Sequence, residues 1–172
     1  MASEAKGGRS ALIQHLDDMK ITYEIVEHPP VFTVEEMMPH LRHLEGSHSK
    51  NLFLKDKKKK GLWLVTTLAE RQINLTELGK KIGAPGGLRF ADESIMIDVL
   101  NVAQGCCTPL ALFNDTEKKV TFVLDEGFVR EKHGRVFFHP MVNDATMGLA
   151  SSDFVRFVES TGHSPVIVNL DE

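Results

Sequence analysis

The sequence predicts an α+β (mixed α/β) domain: a mixed, largely antiparallel sheet flanked by helices. Two observations carry that expectation. Strand-like apolar runs at 51–55, 62–68, 109–113, 120–124 and 135–138 are interleaved with stretches at helical spacing, and the two kinds do not alternate regularly. Regular alternation would build a doubly wound parallel sheet, whereas hairpins broken by helices build the mixed kind. The second observation is length. A chain of 172 residues suits one domain and can bury roughly two-thirds of its unfolded surface. Residues 1–172 are therefore expected to form a single domain, with 1–9 flexible.

Each element has a local reason. Ser10 is a suitable N-cap for a first helix carrying Leu12, Ile13, Leu16 and Met19 on one face. Residues 23–27 alternate as a short strand. Thr33-Val34-Glu35-Glu36 is a capping box, placing Met37, Met38 and Leu41 on a second helix. The runs 51–55 and 62–68 flank a lysine-rich stretch and Gly61, as a hairpin would. Asn74 caps a helix through Leu75, Leu78 and Ile82 that Gly83 stops, and Pro85-Gly86-Gly87 makes a loop. Asp92 caps another helix through Ile95, Met96 and Val99. The runs 109–113 and 120–124 are expected as strands around a turn at Asn114-Asp115, followed by a strand at 135–138. Ser151 or Ser152 caps a last helix with Phe154, Val155, Phe157 and Val158 on one face. Gly162 ends it, and 165–168 reads as a final strand.

Composition narrows the function classes. The hydrophobic fraction is 42%, the charged fraction 26% and the formal charge −4, ordinary values for a globular protein. The whole molecule does not attract polyanions, so any nucleic-acid contact must come from local basic patches. The two cysteines, Cys106 and Cys107, are adjacent, which is no disulfide framework and fits a reducing compartment. The N-terminal MASEAKGGRS has no apolar core of a signal peptide, and no apolar run approaches the ~20 residues of a membrane span. A soluble, cytoplasmic protein without a membrane partner is expected.

Several chemistries lack their motif: the phosphate-binding loop, the Gly-x-Ser-x-Gly elbow, Cys-x-x-Cys and His-Glu-x-x-His. His40, His43 and His48 approach a metal pattern, but no acidic or cysteine ligand follows at useful spacing, and surface histidines are the better reading. Cys106 or Cys107 as a nucleophile would need a base within reach and a lowered pKa; small apolar side chains under a loop are the plainer alternative. The loop Gly105-Cys106-Cys107-Thr108-Pro109 is more informative as backbone. Gly105 permits unusual dihedrals, Pro109 fixes the exit into the next strand, and such a loop can aim N–H groups at one point. Lys50 and Asn51 open an apolar strand on opposite faces. His139, Asn143, Asp144 and Thr146 follow the strand at 135–138, where sites and solvent contacts are both common. The lysines at 55, 57, 58, 59 and 60 read either as a solvated hairpin tip or as a phosphate contact.

Three blocks in order acquire specificity together: Lys50-Asn51-Leu52-Phe53-Leu54-Lys55-Asp56, then Gly105-x-x-x-Pro109, then Phe138-His139-Pro140-Met141-Val142-Asn143. The chain resembles the YbaK-like, prolyl-tRNA-synthetase-associated editing domain family, and within it the free-standing alanyl-tRNA(Pro) deacylases. Phe113-Asn114-Asp115, Val123-Leu124-Asp125, Phe154-Val155-Arg156-Phe157 and Thr161-Gly162-His163 extend the likeness over residues 10–170. The resemblance implies that fold and hydrolysis of the ester joining a mischarged alanine to tRNA(Pro). A synthetase pocket that holds proline cannot exclude smaller amino acids, because a missing methylene is worth only about 1–3 kcal/mol, and a second, hydrolytic sieve follows.

By the same resemblance, Lys50 holds the terminal nucleotide or ester region and Asn51 is its polar neighbour. Gly105, Cys106, Cys107, Thr108 and Pro109 form the loop whose amides hold the aminoacyl carbonyl. His139 and Asn143, with Thr146, line the amino-acid pocket. The substrate's 2′-hydroxyl and a water share the chemistry. Lys55, Lys57 and Lys58 would touch tRNA phosphates. The implied partners are the acceptor end of aminoacylated tRNA(Pro) and prolyl-tRNA synthetase; no metal and no cofactor is implied. The two cysteines depart from the small or hydroxyl residues expected in the loop. A Cys-tRNA(Pro) deacylase of the same fold, or an inactive relative that binds tRNA or synthetase, remain alternatives.

Overall fold

In chain order the elements are α1 (Arg9–Asp18), β1 (Tyr23–Glu27), α2 (Val34–Leu41), β2 (Ser47–Asp56), β3 (Leu62–Leu68), α3 (Leu75–Ile82), β4 (Leu88–Phe90), α4 (Glu93–Leu100), a 3₁₀ helix (Pro109–Asn114), β5 (Val120–Asp125), α5 (Gly127–Arg130), β6 (Arg135–Phe138), β7 (Ala145–Ala150), α6 (Ser151–Ser160) and β8 (Val166–Val168). The computed structural model describes residues 7–41, 46–58, 61–84, 86–130 and 134–170. His43, Lys59, Lys60 and Pro85 of the sequence reading lie outside them.

The strands form one sheet in the order β1-β7-β6-β2-β3-β5-β8, with β4 added beside β2. Four pairings are antiparallel (β1 with β7, β2 with β3, β2 with β4, β6 with β7). Three are parallel (β2 with β6, β3 with β5, β5 with β8). Successive strand residues face opposite sides, so Leu64 of β3 and Phe122 and Leu124 of β5 enter the main core with α1, α4 and α6. Val65 and Val123 enter a smaller core under α3 with Leu54, Leu78 and Leu88. Burial on both faces explains why these strands read as unbroken apolar runs. In α6, Phe154, Phe157 and Val158 lie at i, i+3 and i+4 and are fully buried. The Phe154 ring packs 4.5 Å from Phe138 and 6.1 Å from Phe122.

Local signals produced the expected caps at two helices. Thr33 Oγ1 accepts from the Glu36 amide at 3.1 Å, and the Glu36 carboxylate accepts from the Phe32 amide at 2.8 Å. Asn74 Oδ1 accepts from the Glu77 amide at 3.1 Å, and Gly83 ends α3 at φ +76°.

Four local expectations need correction. The run 109–113 is a 3₁₀ helix and not a strand: Thr108 caps it by accepting from the Leu110 amide at 3.2 Å, and Pro109 occupies the first position, where its missing N–H costs nothing. Ser151 does not cap α6, because its hydroxyl donates to the Phe128 carbonyl at 2.7 Å; Ala150 holds the cap position. α1 begins at Arg9 with Gly8 before it, so Ser10 lies inside the helix. Ahead of it, the Gly7 amide donates to Asn114 Oδ1 at 2.9 Å, which ties the chain down from residue 7. Finally, Lys50 does not begin β2; it is the fourth residue of a longer strand.

The partner change along β2 is what opens a site. One edge is paired with β3 from Ser49 to Lys55. The other meets β6 at Ser47 and His48 and β4 at Leu54 to Asp56. Between them, residues 49–52 face no strand on that edge, and a cleft of about 630 Å³ occupies the gap.

Candidate functional site

Lys50, Asn51, Gly105, Cys107, His139 and Thr146 line this cleft. Six of the residues singled out in sequence thus come together from four separate segments. Cys106, Thr108, Pro109 and Asn143 do not reach its wall, and neither do Lys55, Lys57 and Lys58.

Lys50 is half-buried, and its ammonium donates to the carbonyl of Arg71 in the segment after β3. Burial lowers its pKa below the usual lysine value, and the nearby Glu35 carboxylate opposes that shift. Arg71 is fixed in turn. Its guanidinium pairs with the fully buried Asp125, with Nη2 3.2 Å from Oδ1, and Nη1 donates to the Leu170 carbonyl at 3.3 Å. Asp125 also accepts from the amides of Leu68 at 3.1 Å and Gly127 at 2.9 Å. A carboxylate with that many donors locks the exit of β3, and with it the carbonyl that positions Lys50.

Asn51, on the opposite face of β2, accepts from Thr66 Oγ1 at 2.6 Å through Oδ1. Its Nδ2 reaches Ser49 Oγ at 3.4 Å, and that hydroxyl donates to the Phe137 carbonyl at 2.8 Å. The chain ties β2 to β6 just where backbone pairing between them stops.

Gly105 has φ +87°, a left-handed conformation that suits glycine. A Cβ there would lie 2.6 Å from Phe32 Cδ1 and 3.3 Å from Asn143 Nδ2. The Cys106 amide is spent on Ala103 O at 2.9 Å and the Gln104 amide on the Glu93 carboxylate at 2.8 Å. The Gly105 and Cys107 amides, both in residues of the cleft wall, have no acceptor among the described residues. Burial pushes the Cys107 thiol up to about 12 and raises that of Cys106. Both stay protonated near neutrality, so neither meets the requirement for a nucleophile. Any contribution of this loop is through its backbone. Thr108 and Pro109 support it from below as cap and first residue of the 3₁₀ helix.

His139 ends β6. Its Nδ1 lies 3.1 Å from the Ala145 carbonyl, which can only accept, so Nδ1 carries the proton and Nε2 is left as an acceptor when the ring is neutral. Burial lowers its pKa; the Ala145 bond opposes that and neighbouring His28 adds to it. Thr146 Oγ1 lies 2.8 Å from His28 Nε2. Asn143, implied as a pocket residue, acts differently: its Nδ2 donates to Val31 O at 2.8 Å and its carbonyl accepts from the Val31 amide at 3.1 Å. It ties the segment before α2 to the β6–β7 loop.

The histidines outside the cleft motif are not all on the surface. His48 is 9% exposed and stacks on Phe137 at 4.7 Å; His40 stacks on His28 at 5.5 Å. Among the described residues no group of three His, Cys, Asp or Glu is arranged to hold a metal, and no helix is long and apolar enough to cross a membrane. Lys57 and Lys58 are exposed on the β2–β3 turn, and Lys55 lies 3.9 Å from Asp92.

Sequence reasoning missed Phe32, Arg71 and Phe90 on the cleft wall. The polar residues 70–72, just after a strand of seven apolar or threonine residues, were the one available signal for Arg71. Nothing local marked the two phenylalanines.

Comparison with known proteins bears on family and fold. A family profile described as the aminoacyl-tRNA editing domain matches residues 28–157. The chain is similar to prolyl-tRNA synthetase associated domain-containing protein 1 of Bos taurus, at 61% identity over 165 residues, 95% of this chain and 96% of that protein. It is also similar to the prolyl-tRNA editing protein ProX of Acetoanaerobium sticklandii, at 35% identity over 164 residues, 94% of this chain and 97% of the relative. A solved structure described as a candidate trans-editing enzyme for prolyl tRNA synthetase superposes with a TM-score of 0.67, covering 98% of this chain and 99% of the other. Its 18% identity makes that likeness one of fold.

Proposed function

The chain belongs to the aminoacyl-tRNA editing domain family, and on that premise we propose that it is a trans-acting deacylase that hydrolyses alanine from mischarged tRNA(Pro). The observation that carries the reading is the convergence, in one cleft, of the Lys50 ammonium with a glycine-dependent loop holding two uncommitted amides. The likeness to a prolyl-tRNA editing protein supports prolyl tRNA as the carrier.

Attack of water on an aminoacyl ester forms a tetrahedral centre whose oxygen becomes an anion. Donors fixed beforehand stabilise that charge without reorganising, and loss of one such donor costs roughly 100-fold or more in rate. In the proposed mechanism the Gly105 and Cys107 amides take this role. Lys50 supplies a positive charge to the ester or its terminal phosphate, held in place by the Arg71 carbonyl. Neutral His139 offers Nε2 as an acceptor for the ribose hydroxyl or the attacking water, which orients the nucleophile. With both thiols protonated, water and the substrate's own 2′-hydroxyl remain as the nucleophile and proton carrier. The protein is expected to act in the cytoplasm, on the acceptor end, with prolyl-tRNA synthetase as the source of substrate.

The test is release of labelled amino acid from Ala-tRNA(Pro), Cys-tRNA(Pro) and Pro-tRNA(Pro) by the purified protein. Fast loss of alanine alone is expected. Loss of cysteine alone would reassign the substrate, and release from none of the three would overturn the reaction.

A further inference from the structure

Phe32 and Phe90 are the most exposed large apolar side chains among the described residues, at 65% and 60%. Both line the cleft that also holds Lys50 and His139. Rings standing in water at the wall of a polar cleft offer flat π-faces without a partner. Neither ring is on a loose support. The Phe32 backbone is fixed because its amide donates to the Glu36 carboxylate at 2.8 Å and the next residue caps α2. Its ring lies over Gly105, where a Cβ would approach Cδ1 to 2.6 Å. Phe90 is held by sheet register opposite Leu54, and the following residue donates its amide to the Phe53 carbonyl at 3.0 Å.

Lys50 and Leu54, the register partner of Phe90, lie in order along β2. Lys50 and the Gly105 loop mark where the ester would sit, with Phe32 beside it. Leu54, opposite Phe90, is four residues from Lys50, or roughly 13 Å at strand rise. Beyond it come the exposed Lys57 and Lys58, on the turn after β2. An unpaired 3′ strand laid on this track would put its aminoacyl end in the cleft, its bases against the rings and its backbone over the lysines.

We propose that Phe32 and Phe90 are stacking surfaces for successive unpaired bases at the 3′ end of the tRNA, Phe32 for the terminal adenine and Phe90 for the base before it. The proposal rests on the deacylase reading for the choice of ligand. Stacking on an aromatic ring tolerates any base, so the subsite adds affinity and alignment and leaves sequence choice to other contacts.

The experiment uses an uncharged acceptor-stem RNA hairpin, so that it does not depend on hydrolysis. Binding is measured for the wild type and Phe90→Ala, with an intact 3′ end and with the penultimate base removed to leave an abasic site. Either change alone is expected to weaken binding about tenfold, and both together no more than either alone, because they delete the same contact. Phe90→Trp should bind at least as well as the wild type. The same cycle with Phe32→Ala and an abasic terminal residue should behave alike. Both rings stand in water, so melting temperatures should not move. Losses that multiply, a Phe90→Ala variant that binds as the wild type does, or no binding of the intact hairpin would overturn the proposal. If alanine release succeeds while the losses multiply, the subsite is wrong and the deacylase reading stands. If release fails while the two changes couple, the reverse holds.

Discussion

A lysine inside β2 and two lysines just beyond its end are in opposite physical situations. Lys50 is half-buried, bonded to the Arg71 carbonyl, and held through Arg71 by the buried Asp125. Lys57 and Lys58, at the far end, are exposed on a turn. A charge held in a cleft acts at one atom of a substrate, and its effect is steep in position. A charge in water contributes attraction that salt screens over about 8–10 Å. On the proposed reading, one strand and the turn after it carry both a chemical group and an electrostatic guide.

Titration of Lys50 offers the largest way to break the contrast. Burial disfavours its charged form, so the ammonium should be lost as pH rises through a value below the ordinary 10.5 of lysine. The enzyme-dependent rate constant, corrected for uncatalysed ester hydrolysis, should fall along that alkaline limb. A corrected rate that stays flat to pH 10.5 would separate the ammonium from the chemistry.

Gly105→Ala should follow in size. It forces a non-glycine residue to φ +87° and drives a methyl into the Phe32 ring. Such strain costs about 1–3 kcal/mol, and the displaced amides should lower kcat roughly 10- to 100-fold. Melting and single-turnover rates measured together would check this; unchanged values for both would mean that the loop needs no special backbone.

Asp125→Ala sharpens the comparison from within the fold. It leaves Arg71 without its carboxylate at a nearly buried site, and breaking a buried pair costs about 3–5 kcal/mol. Chemical denaturation should register that loss. If the account of Lys50 is right, kcat falls as well even where the protein remains folded, because the Arg71 carbonyl is no longer held. A folded variant with wild-type kcat would remove Asp125 from the positioning of Lys50.

The double substitution Lys57→Ala with Lys58→Ala should have the smallest effect. A rise in KM of a few-fold, a shallower dependence on salt and an unchanged kcat are expected. A change in kcat with KM constant would place these lysines nearer the chemistry than the fold does.

What was legible in sequence was what local chemistry determines. The Thr33 and Asn74 caps and the Gly83 stop depend on residues three or four apart, and they stand as read. The run 109–113 was misread because an apolar pentapeptide fits strand and helix alike, and the deciding residues, Thr108 and Pro109, had been assigned to a loop. β7 was missed because Ala-Thr-Met-Gly-Leu-Ala has weak strand propensity; pairing with β1 and β6 on both sides makes it a strand. Lys50, Gly105 and His139 could be singled out through resemblance. Their meeting in one cleft depends on the partner change along β2, which no residue announces. Asn143 was implied as a pocket residue; its bond to Val31 could not be read, since only the fold brings Val31 to it.

The central claim is that hydrolysis depends on the ammonium held in this cleft. The most direct test is single-turnover release of labelled alanine from Ala-tRNA(Pro), with enzyme in excess, by the wild type and Lys50→Ala side by side. The account predicts release by the wild type and a loss of roughly 100-fold or more in the variant, with the melting temperature retained. Equal rates from the two proteins, or no release by the wild type, would contradict it.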